Sequence, residues 1–592
     1  MSLTDIPYKV GIFNEDTDRG VGKLLYWKDC DHVRFFNGHP QKIGGWLKAS
    51  QTQFLGKSRS VIDWVTTTQE FIIAVGTHKK LYVFVGGELY DITPIRATGT
   101  LTDPYDTVDT SAVVTVSDTG HGLSEGDFVH YDTGSAVGGI TILGEYEVTS
   151  VITTDEYTIT HSAPATSTAN GGGSVDFRYE IPIGAEYANA GLGYGSGGWN
   201  LGTWGAERTY SSLYSNSRIW SFAIWGEDLI ASPYGCPMYV WDASAGVTTR
   251  AVLISQAPSV NLGVFVAQEE RQIFSLGSHD GVSVDPQLLR WCSQEDYTDW
   301  TPTLANTAGD KRLELGTEII TAVVTRTDTI IFTNTGMYSM QFVGMPDIYG
   351  FQPIGLNGGI AGARAAGAFN GVAYWMAAGG FYKYDGTISE LPCAVFDYVF
   401  KNLNRNTLST IQCAVITDYS EVMWLYASKY SEELDRYIIY NTADSSWYYG
   451  SMERTSFAGA LQNSIRVYGC GADGYIYEHE VGNNADAAPM TSYIHSGDIE
   501  IDAGGEQLMR ISKFIADMLR ISGSIEITFS GKKYPQESDV LESGPFSIDS
   551  STKYINPRIR CRQVSFQVDS DALHSDWRLG LVRIDVNPDG KR

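Results

Sequence analysis

Metal binding is the first chemistry that the residue types raise, because the chain has ten histidines, seven cysteines and 69 acidic residues. The histidines are scattered, and no two cysteines are close enough for a Cys-x-x-Cys motif. His121 and His130 flank a turn, and we interpret them as turn or surface residues rather than as a ligand pair. The stretch "SDTGHGLSEGD" (117–127) places carboxylates around a glycine turn without the spacing of a calcium-binding loop. We therefore predict no metal and no cofactor.

Glycoside hydrolysis is the catalytic chemistry that so many carboxylates suggest, since it needs two of them beside the scissile bond. Sialidases often carry Ser-x-Asp-x-Gly-x-x-Trp turns, and the nearest stretch here, "NTADSSWYYG" (441–450), lacks the glycine. The glycine-rich "GLNGGIAGARAAG" (355–367) lacks the Gly-Lys-Ser/Thr ending of a phosphate-binding loop. No Gly-x-Ser-x-Gly nucleophile turn occurs. The sequence therefore predicts a protein that is not an enzyme.

Surface recognition is the chemistry that residues 188–210 suggest, where glycines alternate with tyrosine and tryptophan in "ANAGLGYGSGGWNLGTWGAERTY". Such a stretch is too rich in glycine to form a regular strand without a large entropic cost, so we predict a long loop. Aromatic side chains dominate contact energies at protein interfaces. Tyr194, Trp199 and Trp204 are therefore the candidate interface residues. The alternative is that the loop folds back on its own domain.

The elements that would position these residues are β-hairpins. In "AAGGFYKYDG" (377–386) a glycine turn follows an apolar run and leads into an aromatic strand. The same plan recurs between residues 71 and 480, and period-2 alternation in such short runs predicts strands. The middles of the second strands lie 38 to 55 residues apart, at Tyr239, Leu289, Tyr338, Tyr382, Tyr437 and Tyr475. Hairpin repeats of this length are typical of four-stranded β-propeller blades.

We therefore predict an all-β fold in four parts, with unrelated hairpins of a β-sandwich as the alternative. Residues 1–97 are N-terminal strands and the first blade or blades, and residues 179–486 are the remainder of a propeller with six or seven blades. Residues 98–178 alternate strongly and are rich in Thr, Val and Ser, which predicts a small inserted β-module. The repeats stop near residue 487, and 487–592 is predicted to be a C-terminal β-sandwich-like domain.

Two smaller elements are also expected. Phe396, Val399, Phe400 and Leu403 recur at helical spacing, which predicts one short helix that covers a face of a blade. The strand in "HVRFFNG" (32–38) is expected to pair with a blade strand and so close the propeller.

The net charge, the cysteines and the absence of long apolar runs limit the partners and the compartment that the sequence allows. The net charge of −27 argues against ordinary nucleic-acid binding, which needs Lys and Arg to neutralise phosphates. The seven cysteines are odd in number and scattered, which indicates reduced, mostly buried thiols. The N-terminus has no basic start followed by an apolar run, and no apolar run of membrane-spanning length occurs, so neither a signal peptide nor a membrane span is expected.

Four stretches resemble the tail nozzle of short-tailed bacteriophages, a family also called tail stabilisation or hub proteins. They are "DHVRFFNGHPQKIGGW" (31–46), "SRIWSFAIWGEDLIASPYGCPMYVWD" (217–242), "NGGIAGARAAGAFNGVAYWMAAGGFYKYDGTISELPCAVFDYVFKNLNR" (357–405) and "DWRLGLVRIDVNPDGKR" (576–592). The resemblance is to a pattern of framework residues, and none of the stretches is a catalytic motif.

The resemblance implies a virion protein of a podovirus tail, assembled in the host cytoplasm. Such proteins form a sixfold ring below the portal and its adaptor, extend the DNA ejection channel and hold tail fibres or spikes. We expect many of the acidic residues to line that channel, so that genomic DNA slides through without adhering. Two other functions stay open: a carbohydrate-binding or depolymerising propeller of a tail fibre or spike, and a cellular propeller that acts as an interaction scaffold.

Overall fold

The computed structural model describes residues 3–187, 189–190, 214–215, 217–355, 359–459, 466–501, 506–537 and 540–590. The chain divides into two compact units, one of residues 52–314 and one of residues 1–51 with 315–592. Among the described residues no helix is long and apolar enough to cross a membrane. All seven cysteines are free thiols, four of them buried and three partly buried.

Antiparallel four-stranded sheets in hairpin order dominate both units, which gives the all-β, propeller-type fold that the repeats predict. The first unit has three such blades within the described residues. Blade 1 consists of Ser58–Val65, Phe71–Thr77, Leu81–Val85 and Glu88–Asp91. Blade 2 consists of Trp220–Trp225, Asp228–Pro233, Tyr239–Trp241 and Val252–Leu253. Blade 3 consists of Gly263–Ala267, Gln272–Leu276, Leu288–Trp291 and Gly309–Arg312.

The second unit has four blades in the part of the chain that is described. Blade 4 consists of Ile319–Val324, Thr329–Thr333, Met337–Gly344 and Ile348–Gly355. Blade 5 consists of Ala366–Phe369, Val372–Ala377, Gly380–Tyr384 and Ile388–Leu391. Blade 6 consists of Gln412–Ile416, Glu421–Tyr426, Arg436–Asn441 and Ser446–Ser451. Blade 7 consists of Ser456–Ala458, Val467–Cys470, Ile476–His479 and the N-terminal strand Trp46–Lys48.

Within each unit the first strand of a blade lies beside the first strand of the next blade. Inner strands of some blades are buried on both faces, as in Leu81–Val85 and Glu421–Tyr426, whose residues are all buried. A blade therefore cannot shield its own core, and the aromatic side chains of the repeats fill the space between neighbours. Phe332 of blade 4, for example, meets Trp375 of blade 5 edge to face at 5.3 Å.

The inserted module lies between blades 1 and 2 and is one eight-stranded antiparallel sheet. Its first and last strands, Ile95–Thr102 and Ser174–Glu180, pair with each other and close the stalk of the module. Three buried tyrosines line its core, where the Tyr157 hydroxyl lies 2.7 Å from that of Tyr131 and 3.1 Å from that of Tyr179. The strands between are Tyr105–Thr107, Val113–Ser117, Phe128–Val137, Ile140–Val151, Glu156–Thr160 and Ala169–Gly171.

The C-terminal domain consists of two packed sheets, as the sequence predicts, and it takes strands from the N-terminus. One sheet contains Leu3–Ile6, Val33–Phe36, His39–Lys42, Met509–Ser522, Ile559–Cys561 and Asp576–Pro588. The other contains Trp27–Asp31, Ser492–Ser496, Ile525–Lys532, Leu541–Ile548 and Gln563–Ser570. Phe514 packs between them, 5.0 Å from Phe529 and 5.1 Å from Phe566. A short strand pair occurs at Asn189–Ala190 with Tyr214–Ser215. Asn484–Ala485 and Ala488–Pro489 extend the sheet of blade 7 to six strands, and Ala485 pairs in parallel with Trp46.

The expected N-terminal closure occurs, but at a different strand. The hairpin of Val33–Phe36 and His39–Lys42 joins the C-terminal domain, where Gln41 pairs with Arg578. The strand that completes blade 7 is Trp46–Lys48, which pairs with Ile476–His479. Gly44 and Gly45 lack a Cβ, so the chain there can lie directly against the backbone of residues 480–484. This close approach places Trp46–Lys48 at the edge of the blade.

Two short α-helices occur in the described chain, beside the 3-10 turns Ala243–Ala245, Arg405–Thr410 and Thr417–Tyr419. The predicted one is Phe396–Phe400, where Val399 and Phe400 are buried and Phe400 contacts Phe381 of blade 5. The other, Asp18–Lys23, was not predicted from the sequence; the side chain of Thr17 caps it by accepting a hydrogen bond from the Gly20 amide.

Candidate functional site

The junction between the inserted module and blade 1 is an ion-pair cluster around Lys80. This residue lies in the turn between the second and third strands of blade 1, and its side chain is 1% exposed. Its Nζ lies 2.8 Å from Asp91, 2.6 Å from Glu145 and 3.0 Å from Glu180. Asp91 belongs to blade 1, whereas Glu145 and Glu180 belong to the module. One ammonium group therefore joins the two parts.

A second cation completes the cluster. Arg250, which precedes the last strand of blade 2, donates to Asp91 at 2.8 Å and to Glu180 at 2.9 Å. The Phe128 ring of the module lies 4.4 Å from the Lys80 ammonium. Beside the cluster, Lys79 contacts Glu147 at 2.9 Å. The module is thus held to two blades of its unit by paired charges and by an aromatic ring.

The charges of the cluster do not balance, since three carboxylates face two cations. Burial alone would lower the pKa of Lys80, but Asp91, Glu180 and Glu145 raise it above its usual value. Burial, together with the neighbouring Asp91 charge, raises the pKa of Glu180 to about 7, although Lys80 and Arg250 oppose the shift. Lys80 and Arg250 lower the pKa of Asp91 against the effect of burial. Glu180 is therefore the group that takes up a proton when the pH falls.

The same three carboxylates are the group in the described chain whose spacing could hold a metal ion, because their ligand atoms lie within 4.8 Å of one another. The Lys80 ammonium already lies among them at hydrogen-bond distances. A cation would have to displace both this ammonium and Arg250. The chemistry of the cluster is therefore that of a structural ion pair.

A second buried network, around Arg34, joins the N-terminal hairpin to blades 6 and 7. Its guanidinium binds Glu421 with two hydrogen bonds of 2.9 and 3.1 Å and Glu480 with two of 2.7 Å. It also lies 3.6 Å from the centre of the Tyr419 ring. The Tyr448 hydroxyl donates to Glu421 at 2.5 Å. Burial raises the pKa of Glu421, although Arg34 opposes the shift.

Lys42 joins the same hairpin to the C-terminal domain without a carboxylate contact. Its Nζ donates to the carbonyl of Met490 at 2.7 Å, and to the carbonyl and hydroxyl of Ser575 at 3.0 and 2.9 Å. Burial lowers the pKa of Lys42 to about 8, with a small opposing effect of Asp576. The Arg34 network and Lys42 together explain how a hairpin far from its partners in sequence is held in place.

The residues that the sequence analysis selected do not belong to the Lys80 cluster or to the Arg34 network. Tyr194, Trp199 and Trp204 lie outside the described residues, so their role as interface residues stays a prediction. His121 is buried and accepts a hydrogen bond from the amide of Leu123, which makes it a turn residue rather than a surface one. His130 lies 2.9 Å from Asp132.

Lys80 and Arg34 were missed by the sequence analysis. The only local signal for Lys80 is the lysine pair in the turn of "GTHKKLYVF" (76–84), between two strands that are otherwise apolar. Lysine is rarely buried unless it is paired, but its partners Glu145 and Glu180 lie 65 and 100 residues away. Pairing over such separations cannot be read from a single sequence.

No family model matches, and no curated protein matches. Solved structures with some likeness include BamB from Moraxella catarrhalis, 10% identical with a TM-score of 0.26 over 45% of this chain and 84% of that one. The phage phi92 endosialidase is 12% identical with a TM-score of 0.19, over 89% and 69%. BBS1N, solved with ARL6DN, is 9% identical with a TM-score of 0.25, over 75% and 99%. These scores are too low to bear on function.

Proposed function

We propose that this chain is a structural subunit of a short bacteriophage tail, where it forms the nozzle below the portal and its adaptor. The observation that carries the proposal is a contact between two of the stretches that resemble the nozzle family. Residues 31–46 pair with 576–592 through Gln41 and Arg578, and the Arg578 guanidinium donates to the carbonyl of Phe36 at 2.8 Å. Two of the four stretches therefore join the N-terminal hairpin to the last strand of the C-terminal domain.

The use of buried charge supports a structural function. Five buried carboxylates of the described chain contact a cation or a hydrogen-bond donor of the framework: Asp127, Glu180, Glu421, Asp498 and Asp585. A glycosidase would need a pair of carboxylates that faces an open cleft. These five instead hold together elements that are distant in sequence.

In the proposed assembly six copies form a ring that extends the DNA channel. Each copy contacts its neighbours through two different faces, because a closed ring with more than two copies needs heterologous contacts. Tail fibres or spikes bind the outside of the ring, and genomic DNA passes along an acidic lining without specific binding.

Native mass spectrometry of the purified chain tests the proposal. We expect a closed oligomer of six copies of the 64.9-kDa chain at micromolar concentration, and rings in negatively stained images. A panel of bacterial surface glycans incubated with the same preparation should remain uncleaved. A monomer at every concentration would contradict the nozzle, and glycan cleavage would favour the depolymerising alternative.

A further inference from the structure

The charge of the chain is distributed very unevenly. Residues 98–178 contain twelve acidic residues and a single basic one, Arg178, which is itself paired with Asp132. Residues 487–592 contain 15 acidic and 13 basic residues, so this domain is nearly neutral in a chain with a net charge of −27. Copies with the same large negative charge repel each other unless the contact joins regions of opposite sign.

The C-terminal domain has a basic surface, which we call the arginine face: Arg510, Arg558 and Arg560, all exposed. Arg510 and Arg560 are directly opposite each other on neighbouring strands. Like charges in this arrangement destabilise a sheet. Arg560 donates to Asp589 at 2.6 Å, whereas the side chains of Arg510 and Arg558 make no hydrogen bond or ion pair with a described residue. The face thus has positive charge that its own domain leaves largely unneutralised.

The inserted module has the complementary surface, which we call the acidic edge: Asp103, Asp106 and Asp109, all exposed within seven residues. Asp103 accepts from the Gly173 amide and Asp106 from the Asn170 side chain, and neither contacts a cation among the described residues. The Lys80 cluster fixes the module to its blades, so this edge is presented in a defined position within its unit.

We propose that the arginine face of one copy docks on the acidic edge of a second copy of this chain. The inference rests on the proposed ring and deepens it, because it assigns the two different faces that a heterologous contact requires. Nucleic acid is the other polyanion that an arginine surface could bind, but the charge of the whole chain opposes its approach. A second copy carries the densest negative charge of the chain in its module. It can therefore bind the arginine face even though the chain as a whole is acidic.

Charge exchange tests the docking. The variant R510E/R558E reverses the face and leaves Arg560 with Asp589, and the variant D106K/D109K reverses the edge. We expect each variant alone to raise the concentration needed for half-assembly at least tenfold at 50 mM salt. Mixing the two should restore assembly, because alternating copies then meet with opposite charges at every contact. The control K311E/R326E reverses two exposed lysine and arginine residues elsewhere and should assemble within twofold of the parent.

The outcomes separate this inference from the proposed function. If the parent chain assembles and both reversed variants assemble equally well, the docking is wrong and the ring stands. If the mixture does not restore assembly, the pairing of these two faces is wrong. If the parent is always a monomer, the ring itself fails. R510Q/R558Q, which removes the charge without reversing it, replaces the first variant if its melting curve shows misfolding. Loss of binding to a 30-base-pair duplex DNA with unchanged assembly would overturn the proposal and assign the face to nucleic acid.

Discussion

Replacing Lys80 with methionine is the most direct perturbation of the module junction. Methionine keeps an unbranched apolar side chain of similar reach, so the change removes the charge and little of the packing. Asp91 and Glu180 would then be paired with Arg250 alone, and Glu145 would lose its cation. The substitution therefore tests whether the cluster holds the module in place.

The expected cost follows from the burial of the cluster. Removing one partner of a buried ion pair costs about 3–5 kcal/mol, because an uncompensated charge remains. Glu180 can relieve part of this cost by taking a proton, since its pKa is already raised to about 7. We therefore expect a loss of about 3 kcal/mol at pH 8 and a smaller loss at pH 6. Adding E180Q to K80M removes one carboxylate charge and should recover at least about 1 kcal/mol.

The pH dependence of the parent chain has a sign that can be checked. The pKa of Glu180 is raised from 4.5 to about 7 in the folded chain. Between these values the folded chain binds a proton that the unfolded chain lacks, so this group's contribution to stability is complete below pH 4.5. It is lost as the pH rises through 7. The E180Q variant should abolish this part of the pH dependence.

Local measurements suit a chain of several units, whose unfolding is not a single two-state transition. Hydrogen exchange at the amides of Phe128–Val137 and Ile140–Val151 reports opening of the module. The matched control is K79M, because Lys79 and Glu147 are both partly exposed and such pairs contribute less than about 1 kcal/mol. Equal protection in K80M and K79M, or no recovery on adding E180Q, would refute this account of the junction.

Three further predictions concern the rest of the chain. R34M leaves Glu421 buried without its guanidinium and should destabilise the unit that contains it by about 3–5 kcal/mol, measured by hydrogen exchange at the amides of Glu421–Tyr426; a change under about 1 kcal/mol would contradict this. Because the pKa of Lys42 is lowered to about 8, that unit should gain stability as the pH rises from 8 towards 10.5, and K42M should lack this gain. Replacing Trp199 and Trp204 with serine should impair assembly more than the melting temperature of the monomer; an equal loss of both would argue against the interface.

The fold class was predictable because it depends on local periodicity. The alternation and glycine turns of a stretch such as 372–391 specify a hairpin without reference to the rest of the chain. The short helix at Phe396–Phe400 was predictable for the same reason. The closure of blade 7 was predicted at the wrong strand, because Val33–Phe36 and Trp46–Lys48 are both short and only their distant partners distinguish them.

The candidate site could not be predicted, because its contacts are long-range. Lys80 meets Glu180 across 100 residues, and Arg34 meets Glu480 across 446. A lysine in a polar turn and an arginine in a short strand are usually exposed. The local sequence does not show that Lys80 and Arg34 are buried. Their burial follows from the way in which the module and the N-terminal hairpin pack.

Cryo-electron microscopy of phage particles that contain this chain, averaged in side view at the tail, tests the central claim most directly. The account predicts a sixfold ring of this chain, coaxial with the portal and directly below the adaptor, with acidic side chains facing the channel. A basic channel lining would contradict the proposed passage of DNA. Density for the chain only as a peripheral appendage, or its absence from the particles, would contradict the nozzle itself.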